Sequence, residues 1–121
     1  MRIVSAAKSN TEIIQALGCA DLIVGATKHD KGNFEIIGNY TDIKAEKIIA
    51  LKPDIVFTST FLQEKLKTEL EAKGMNVVHF DPLSICDVEQ NILKAGEVLG
   101  KKEGGKKLVS EMEAKLSQIR K

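Results

Sequence analysis

The stretch that most limits how this chain can fold is residues 51–60, Leu-Lys-Pro-Asp-Ile-Val-Phe-Thr-Ser-Thr. Because proline cannot continue a helix and restrains the residue before it, Lys52 is the predicted boundary of a helix. The apolar residues 55–57 follow without interruption, a pattern typical of a strand that helices cover on both faces. Such a strand lies centrally in a parallel sheet. The polar residues after it, Ser59 and Thr60, then fall at the edge where open α/β sheets bind ligands.

The rest of the chain alternates short apolar strands with amphipathic helices and carries no hairpin signal. The predicted strands cover residues 3–6, 22–26, 55–57 and 77–80, with a brief edge strand at residues 36–37. This alternation predicts an α/β fold with three layers. Its sheet is mostly parallel and doubly wound, with about four strands in the order 2-1-3-4, helices on both faces and a long helix at the end.

Polar side chains suited to N-capping stand where the helices are predicted to begin. The predicted caps are Ser9 (paired with Glu12 in a capping box), Asp42, Thr60 (paired with Gln63) and Ser84. Glycines at positions 18, 74 and 100 predict helix ends, and a final charged helix is predicted after residues 104–105. Leucines at positions 62, 66 and 70 recur every fourth residue and predict the apolar face of the third helix.

Composition argues against several classes of protein. The chain has 121 residues, and its 18 Lys and Arg nearly balance its 17 Asp and Glu, which argues against general nucleic-acid binding. No apolar run approaches the roughly 20 residues that span a bilayer. The first residues also lack the apolar segment of a signal peptide. From these features alone, the protein is either cytoplasmic or its leader is absent from this chain.

Enzyme signatures are missing from the sequence. No Gly-x-Gly-x-x-Gly or Gly-Lys-Ser/Thr phosphate loop follows a strand, and there is no nucleophile elbow. His29 lies in a polar loop without a second His or Cys at ligand spacing, whereas a metal site needs several converging ligands. His79 lies within an apolar strand and is interpreted as structural. We therefore predict neither a catalytic residue nor a metal site.

Three stretches, taken in order, resemble a known family. They are residues 3–18, 38–56 and 77–84. Together they look like the amino-terminal lobe of the substrate-binding proteins that serve ABC importers of cobalamin, ferric siderophores and haem. The resemblance implies a ligand held in a cleft between two lobes that a long helix joins. Residues 1–104 would form the α/β lobe and residues 105–121 the start of the joining helix, with the second lobe absent. The resemblance also implies an extracytoplasmic location, periplasmic or membrane-anchored.

The resemblance assigns a docking role to Glu46. The matching glutamate in the family contacts arginines of the membrane permease, and an exposed carboxylate suits a bidentate contact with Arg. The alternative is a solvated glutamate near a helix N-terminus, where the helix dipole favours a negative charge.

Loops at the carboxyl ends of the predicted strands supply the candidate ligand contacts. These candidates are Lys8, Ser9, His29, Tyr40, Ser59 and Thr60. Tyr40 falls where cobalamin binders carry an aromatic ring, which suits a flat macrocycle, although it can equally lie half-buried against its own loop. For Ser9 and Thr60, helix capping is the first expected role. Lys8 stands where the family usually has proline, so the ligand is not transferred from the best-known members.

Two other interpretations stay open. A flavodoxin- or receiver-like regulatory domain shares this length and sheet pattern, but a receiver needs an acidic cluster after its first strand, where this chain has Ala6, Ala7 and Lys8. The second interpretation is a structural module that uses its last helix to bind a partner. In addition, a symmetric dimer could cover the exposed half of a cleft. The leading prediction is a non-enzymatic ligand-binding lobe without a resident cofactor, which takes cobalamin, haem or a ferric siderophore and docks to a permease.

Overall fold

The computed structural model describes residues 1–27, 34–39, 41–82 and 85–120, which form one mixed sheet with helices on both faces. The strands are β1 (Ile3–Ser5), β2 (Ile23–Thr27), β3 (Glu35–Asn39), β4 (Asp42–Ile43), β5 (Ile55–Ser59) and β6 (Val77–Phe80). The helices are α1 (Lys8–Ala16), α2 (Ala45–Ala50), α3 (Glu64–Ala72), α4 (Ile85–Val98) and α5 (Lys102–Arg120). Short 3-10 turns at Ala20–Leu22 and Phe61–Gln63 precede β2 and α3.

The predicted fold class and the central strand order are confirmed. β1 lies between β2 and β5, β6 lies beyond β5, and all of these neighbours are parallel. Ile3 of β1 pairs with Ile55 of β5, and Val4 pairs with Val56. The four strands predicted from apolar runs therefore take the order 2-1-3-4.

The sheet has more strands than predicted, because a short hairpin extends it. The full order is β4-β3-β2-β1-β5-β6, in which β3 is parallel to β2 and antiparallel to β4. Gly38 permits this close pairing, since a side chain there would collide with the carbonyl of Asp42. Asp42 is thus a strand residue and not the predicted cap. The following helix begins at Ala45, with Lys44 in the capping position.

β5 is the strand around which both cores are built, and every residue from Ile55 to Ser59 is buried. The core between the sheet and α1, α4 and α5 contains Ile3, Ile14, Phe57, Phe80, Ala95 and Leu99. The core between the sheet and α2 and α3 contains Val4, Ile48, Val56, Leu66 and Leu70. This confirms the prediction that residues 55–57 lie between two helical layers.

The turn before β5 is fastened to the start of β1. Lys52 adopts a positive φ of 51°, which confirms the predicted helix boundary. The Arg2 guanidinium donates to the Leu51 carbonyl from Nε at 3.0 Å and from Nη2 at 2.7 Å. The Arg2 backbone N–H donates to Asp54 Oδ2 at 2.6 Å. These bonds fix where β1 and β5 begin relative to each other.

Helix ends are predicted better than helix starts. Gly18, Gly74 and Gly100 all have positive φ, between 72° and 80°, as expected at helix C-termini. The capping box at Ser9 is wrong, however. α1 begins at Lys8 with Ala7 in the capping position and without a side-chain cap.

The last helix also starts earlier than predicted, at Lys102, so that it includes Gly104 and Gly105. Gly105, together with Gly96 of α4, serves packing. A Cβ at Gly105 would lie 3.3 Å from the Ile92 carbonyl oxygen, and one at Gly96 would lie 2.8 Å from the Lys101 carbonyl oxygen. α4 and α5 therefore touch through backbone. Among the helices that the structure describes, none has the length and apolar character needed to cross a membrane.

Candidate functional site

Buried polar side chains gather at the carboxyl edge of the sheet. In the described part of the chain they are Ser5, Thr27, Thr58 and Ser59 at the ends of β1, β2 and β5, and Asn10, Thr11 and Gln63 in the segments that follow β1 and β5. A buried polar group is costly unless it is hydrogen-bonded. The concentration of such groups at one edge therefore indicates a region whose geometry is held by side-chain hydrogen bonds.

The first turn of α1 is bonded to the sheet through three of these side chains. Thr11 Oγ1 donates to Ser5 Oγ at 2.7 Å, and Ser5 Oγ donates to the Ala7 carbonyl at 3.0 Å. Asn10 Nδ2 donates to the Thr58 carbonyl at 3.1 Å and so connects α1 to β5. These tertiary bonds fix the start of α1 and leave Ser9 exposed on the helix surface.

Gln63 makes the corresponding connection between the ends of β1 and β5. Its Nε2 donates to the Ala6 carbonyl at 2.8 Å, and its Oε1 accepts from the Ser59 backbone N–H at 2.9 Å. The predicted capping role of Thr60 is confirmed, since Thr60 Oγ1 accepts from the Leu62 backbone N–H at 3.4 Å. The other half of the predicted pair differs, because Gln63 bonds the backbone N–H of Ser59 in place of that of Thr60.

Thr60 has an unusual backbone conformation, with φ of 61° and ψ of 170°. This region is populated almost only by glycine, and a residue held there costs about 1–3 kcal/mol. Such a conformation persists only where neighbouring contacts enforce it. One of those contacts is the hydrogen bond from the Thr60 backbone N–H to the Phe80 carbonyl, at 2.7 Å.

Two large apolar side chains project from the turn that Thr60 begins. Phe61 is 71% exposed and Leu62 is 53% exposed. The leucine spacing predicts that Leu62 lies on the apolar face of the third helix, but only Leu66 and Leu70 of that series are buried. Leu62 lies in a 3-10 turn, whose tighter winding moves it off the stripe of the α-helix that follows. A large apolar pair directly after the polar end of a central strand was the available signal for this surface.

Leu62 also lines a cavity of about 190 Å³ between the hairpin strand β4 and α3. Its other lining residues are Thr41, Ile43, Gln63, Lys65, Leu66 and Glu69. The cavity adjoins the exposed turn, and both apolar and polar side chains line it.

The predicted ligand contacts separate into two groups. Lys8 and Ser9 are exposed at the start of α1, Ser59 is buried and Thr60 is half-buried, and all four lie where β1 and β5 end. His29 and Tyr40 lie outside the described residues, as does the predicted cap Ser84. Contact of any of these side chains with a ligand stays a prediction.

Glu46 lies in the first turn of α2, and its side chain is exposed. This position is compatible with the docking role that the resemblance implies, and equally with a solvated glutamate at a helix N-terminus. The docking role stays a prediction.

His79 is half-buried on β6, at one edge of the sheet. Its Nδ1 lies 2.7 Å from Thr58 Oγ1 on the neighbouring strand. Its Nε2 is buried and has no hydrogen-bond partner among the residues that the structure describes. Over the same described ranges, His, Cys, Asp and Glu side chains do not converge in threes in a way that would hold a metal ion.

Comparison with protein families gives one match that extends over nearly the whole chain. Residues 3–121 match the family model of periplasmic binding proteins. An uncharacterized ABC transporter substrate-binding lipoprotein of Bacillus subtilis, YvrC, is 33% identical over 98% of this chain and 40% of its own length. A vitamin B12-binding protein of Vibrio campbellii is 28% identical over 98% of this chain and 46% of its own length.

Among solved structures, the periplasmic heme-binding protein RhuT from Roseiflexus superimposes with a TM-score of 0.87 and 26% identity. The match covers 98% of this chain and 48% of that protein. The chain thus spans less than half the length of each of these three relatives.

Proposed function

Because the chain belongs to the periplasmic binding protein family, we propose that it forms the ligand-binding lobe of a substrate-binding protein that serves an ABC importer. The observation that carries this proposal is the carboxyl edge of the sheet, where a hydrogen-bonded framework supports the exposed side chains of Phe61 and Leu62. Open α/β sheets bind ligands at this edge. Binding sites for organic ligands combine an apolar surface with a few fixed polar groups.

The proposed ligand class is a corrinoid, a haem or an iron–siderophore chelate. The names of the relatives from Vibrio campbellii and Roseiflexus support the first two. Phe61 would cover an apolar face of the ligand, while Lys8 and Thr60 supply polar contacts at its margin. His29 and Tyr40 complete the proposed set. In this role the lobe binds and releases its ligand without catalysing a reaction.

The rest of the transport cycle follows from a second lobe that closes the cleft. We assign residues 1–104 to the binding lobe and residues 105–121 to the start of a helix that joins the lobes. A continuous helix between lobes allows less hinge motion than flexible linkers do. Glu46 would dock the loaded protein onto arginines of the permease, in an extracytoplasmic compartment.

A titration of the chain followed by amide chemical shifts tests the ligand-binding role. The ligands are cyanocobalamin, haemin, ferrioxamine and, as a control for the regulatory alternative, ATP. We expect one macrocycle or chelate to shift amides at Lys8, His29, Tyr40 and residues 59–62. Shifts with ATP alone would favour the flavodoxin- or receiver-like alternative, which the comparisons do not support. Silence with all four ligands would contradict binding by this lobe.

A further inference from the structure

The segment between β5 and α3 places two unusual features side by side, a strained backbone and a pair of exposed apolar side chains. Thr60, a β-branched residue, holds a backbone conformation that glycine normally occupies. Phe61 and Leu62, directly after it, leave most or half of their apolar surface in water. The strain at Thr60 opposes folding, and the exposed pair adds little to stability. Neither is needed to begin a helix, since an unstrained first turn would serve that purpose.

The segment is nevertheless held on both sides of the exposed pair. The Thr60 backbone N–H donates to the Phe80 carbonyl at 2.7 Å, and the Gln63 backbone N–H donates to the Thr60 carbonyl at 3.1 Å. The Gln63 side chain is only 2% exposed and bonds both the Ala6 carbonyl and the Ser59 backbone N–H. One buried amide therefore ties the turn to the ends of two adjacent parallel strands.

We propose that Gln63 is a positioning residue of the ligand site. Its buried amide, together with the enforced conformation of Thr60, holds Phe61 and Leu62 outward as a preformed apolar ledge. The inference rests on the proposed function, in which this ledge meets an apolar face of the ligand. A surface that is ordered before the ligand arrives avoids the entropic cost of ordering it during binding. Gln63 itself is buried and acts only through the ledge.

The first test needs no ligand. Backbone ¹⁵N relaxation is measured for the unchanged chain and for two variants. Gln63→Leu keeps the side-chain bulk but loses both hydrogen bonds of the amide. Gln90→Leu is the control, because Gln90 is an exposed glutamine of α4. In the unchanged chain and the control, we expect order parameters of about 0.85 at Phe61 and Leu62. In Gln63→Leu, we expect them to fall below about 0.6 at the same two residues. A ledge that is mobile in the unchanged chain, or rigid in a folded Gln63→Leu variant, would overturn the proposal.

The second test uses Thr60→Gly and remains informative if Gln63→Leu does not fold. Glycine adopts the Thr60 conformation without strain, so we expect the Tm to rise by roughly a few degrees. Because glycine also allows other conformations, the affinity for haemin or cyanocobalamin, followed by absorbance, should fall by about fivefold or more beyond the loss in Thr60→Ala. Thr60→Ala is the matched control, since it lacks the same hydroxyl but keeps the Cβ that restricts the backbone. Stability and affinity then change in opposite directions, whereas a purely structural role would change them together. Affinity that rises with Tm would overturn the proposal.

The two proposals fail in distinguishable ways. A chain that binds neither haemin nor cyanocobalamin would count against the proposed function, while the order parameters of Phe61 and Leu62 would still decide whether Gln63 fixes the ledge.

Discussion

At the scale of single residues, Phe61 is the side chain whose energetic role in folding and in binding differs most. It is 71% exposed and contributes little to the core, yet it stands on the edge where ligands are expected. We predict that Phe61→Ala leaves the Tm nearly unchanged and weakens ligand binding by about tenfold or more, because aromatic anchors dominate binding energies.

The matched control for that variant is Ile36→Ala, which removes another exposed apolar side chain, 51% accessible, from β3. Its effect on ligand affinity should be negligible. Absorbance titrations and thermal unfolding of both variants provide the comparison. Equal losses of affinity in the two variants would show that Phe61 has no special place in the site.

The sequence predicts this site in part. The apolar run at residues 55–57 predicts a strand with both faces covered, and so predicts that Ser59 and Thr60 lie at the carboxyl edge. The ledge was missed because Leu62 fits a four-residue spacing with Leu66 and Leu70, and local spacing cannot reveal that a strained residue turns it away. The capping pattern pairs Gln63 with Thr60, and this local pattern cannot reveal that the amide bonds Ser59 and the distant Ala6.

At the scale of secondary-structure elements, the contact between α4 and α5 depends on Gly96 and Gly105. A Cβ at Gly96 would lie 2.8 Å from the Lys101 carbonyl oxygen, just before α5, and 3.3 Å from Gly105 Cα within α5. Gly96→Ala therefore displaces the start of α5 and should cost about 1–3 kcal/mol of unfolding free energy. Gly104 is the control, because a Cβ there meets only side-chain atoms at 3.7 Å or more.

In Gly104→Ala the helix gains the better propensity of alanine, about 0.5–1 kcal/mol. Urea unfolding of the two variants should therefore shift the midpoint in opposite directions. If Gly96→Ala proved as stable as Gly104→Ala, the close helix contact would be refuted.

The same helix pair carries a pH-dependent contact. The pKa of Glu89 on α4 is raised by a side-chain hydrogen bond with Glu113 on α5, by partial desolvation and by repulsion from the Glu113 charge. A group whose pKa is raised in the folded state stabilises that state below its ordinary pKa, and the contribution is lost as pH rises through the raised value. Stability from this pair should thus decline as the pH rises above about 4 and through the raised pKa.

Glu113→Gln removes one charge and keeps a hydrogen-bonding side chain beside Glu89. We predict that this variant is more stable than the unchanged chain at neutral pH and that its stability depends less on pH in the acidic range. Thermal unfolding at a series of pH values measures this, with Glu111→Gln as the control because Glu111 is an exposed carboxylate on the same helix. Identical pH profiles for the two variants would contradict the coupling.

Among the secondary-structure elements, the sequence predicts those that carry an apolar run or a periodic pattern, and it fails for those that are too short to show one. Apolar runs predict β1, β2, β5 and β6 in their correct order. β4 has only two residues, Asp42 and Ile43, which is too short to show a period. Gly104 and Gly105 predict a break before the last helix, whereas both lie inside α5. Glycine can either end a helix or let two helices pack closely, and only the position of the neighbouring helix decides which role it has.

At the scale of the whole molecule, Glu46 is the residue whose predicted role lies outside this lobe. In a two-lobed protein that contains this chain, we predict that Glu46→Arg lowers the affinity for the permease by about tenfold or more, since it replaces a charge-assisted contact with repulsion. Glu64→Arg is the control, because Glu64 is also an exposed glutamate in the first turn of a helix. Co-purification with the permease measures both. Unchanged docking of Glu46→Arg would remove the assignment.

The position of β5 between β1 and β6 has a consequence for synthesis of the chain. β1 is made before both of its neighbours, and one of them is completed only at Ser59, after more than fifty further residues have been added. Until then, β1 exposes an unpaired edge beside β2, with Ile3 and Val4 uncovered. Open edges of this kind invite pairing with other chains. We therefore expect the incomplete polypeptide to be most prone to aggregation, and most in need of a chaperone, just before residues 55–59 become available for pairing.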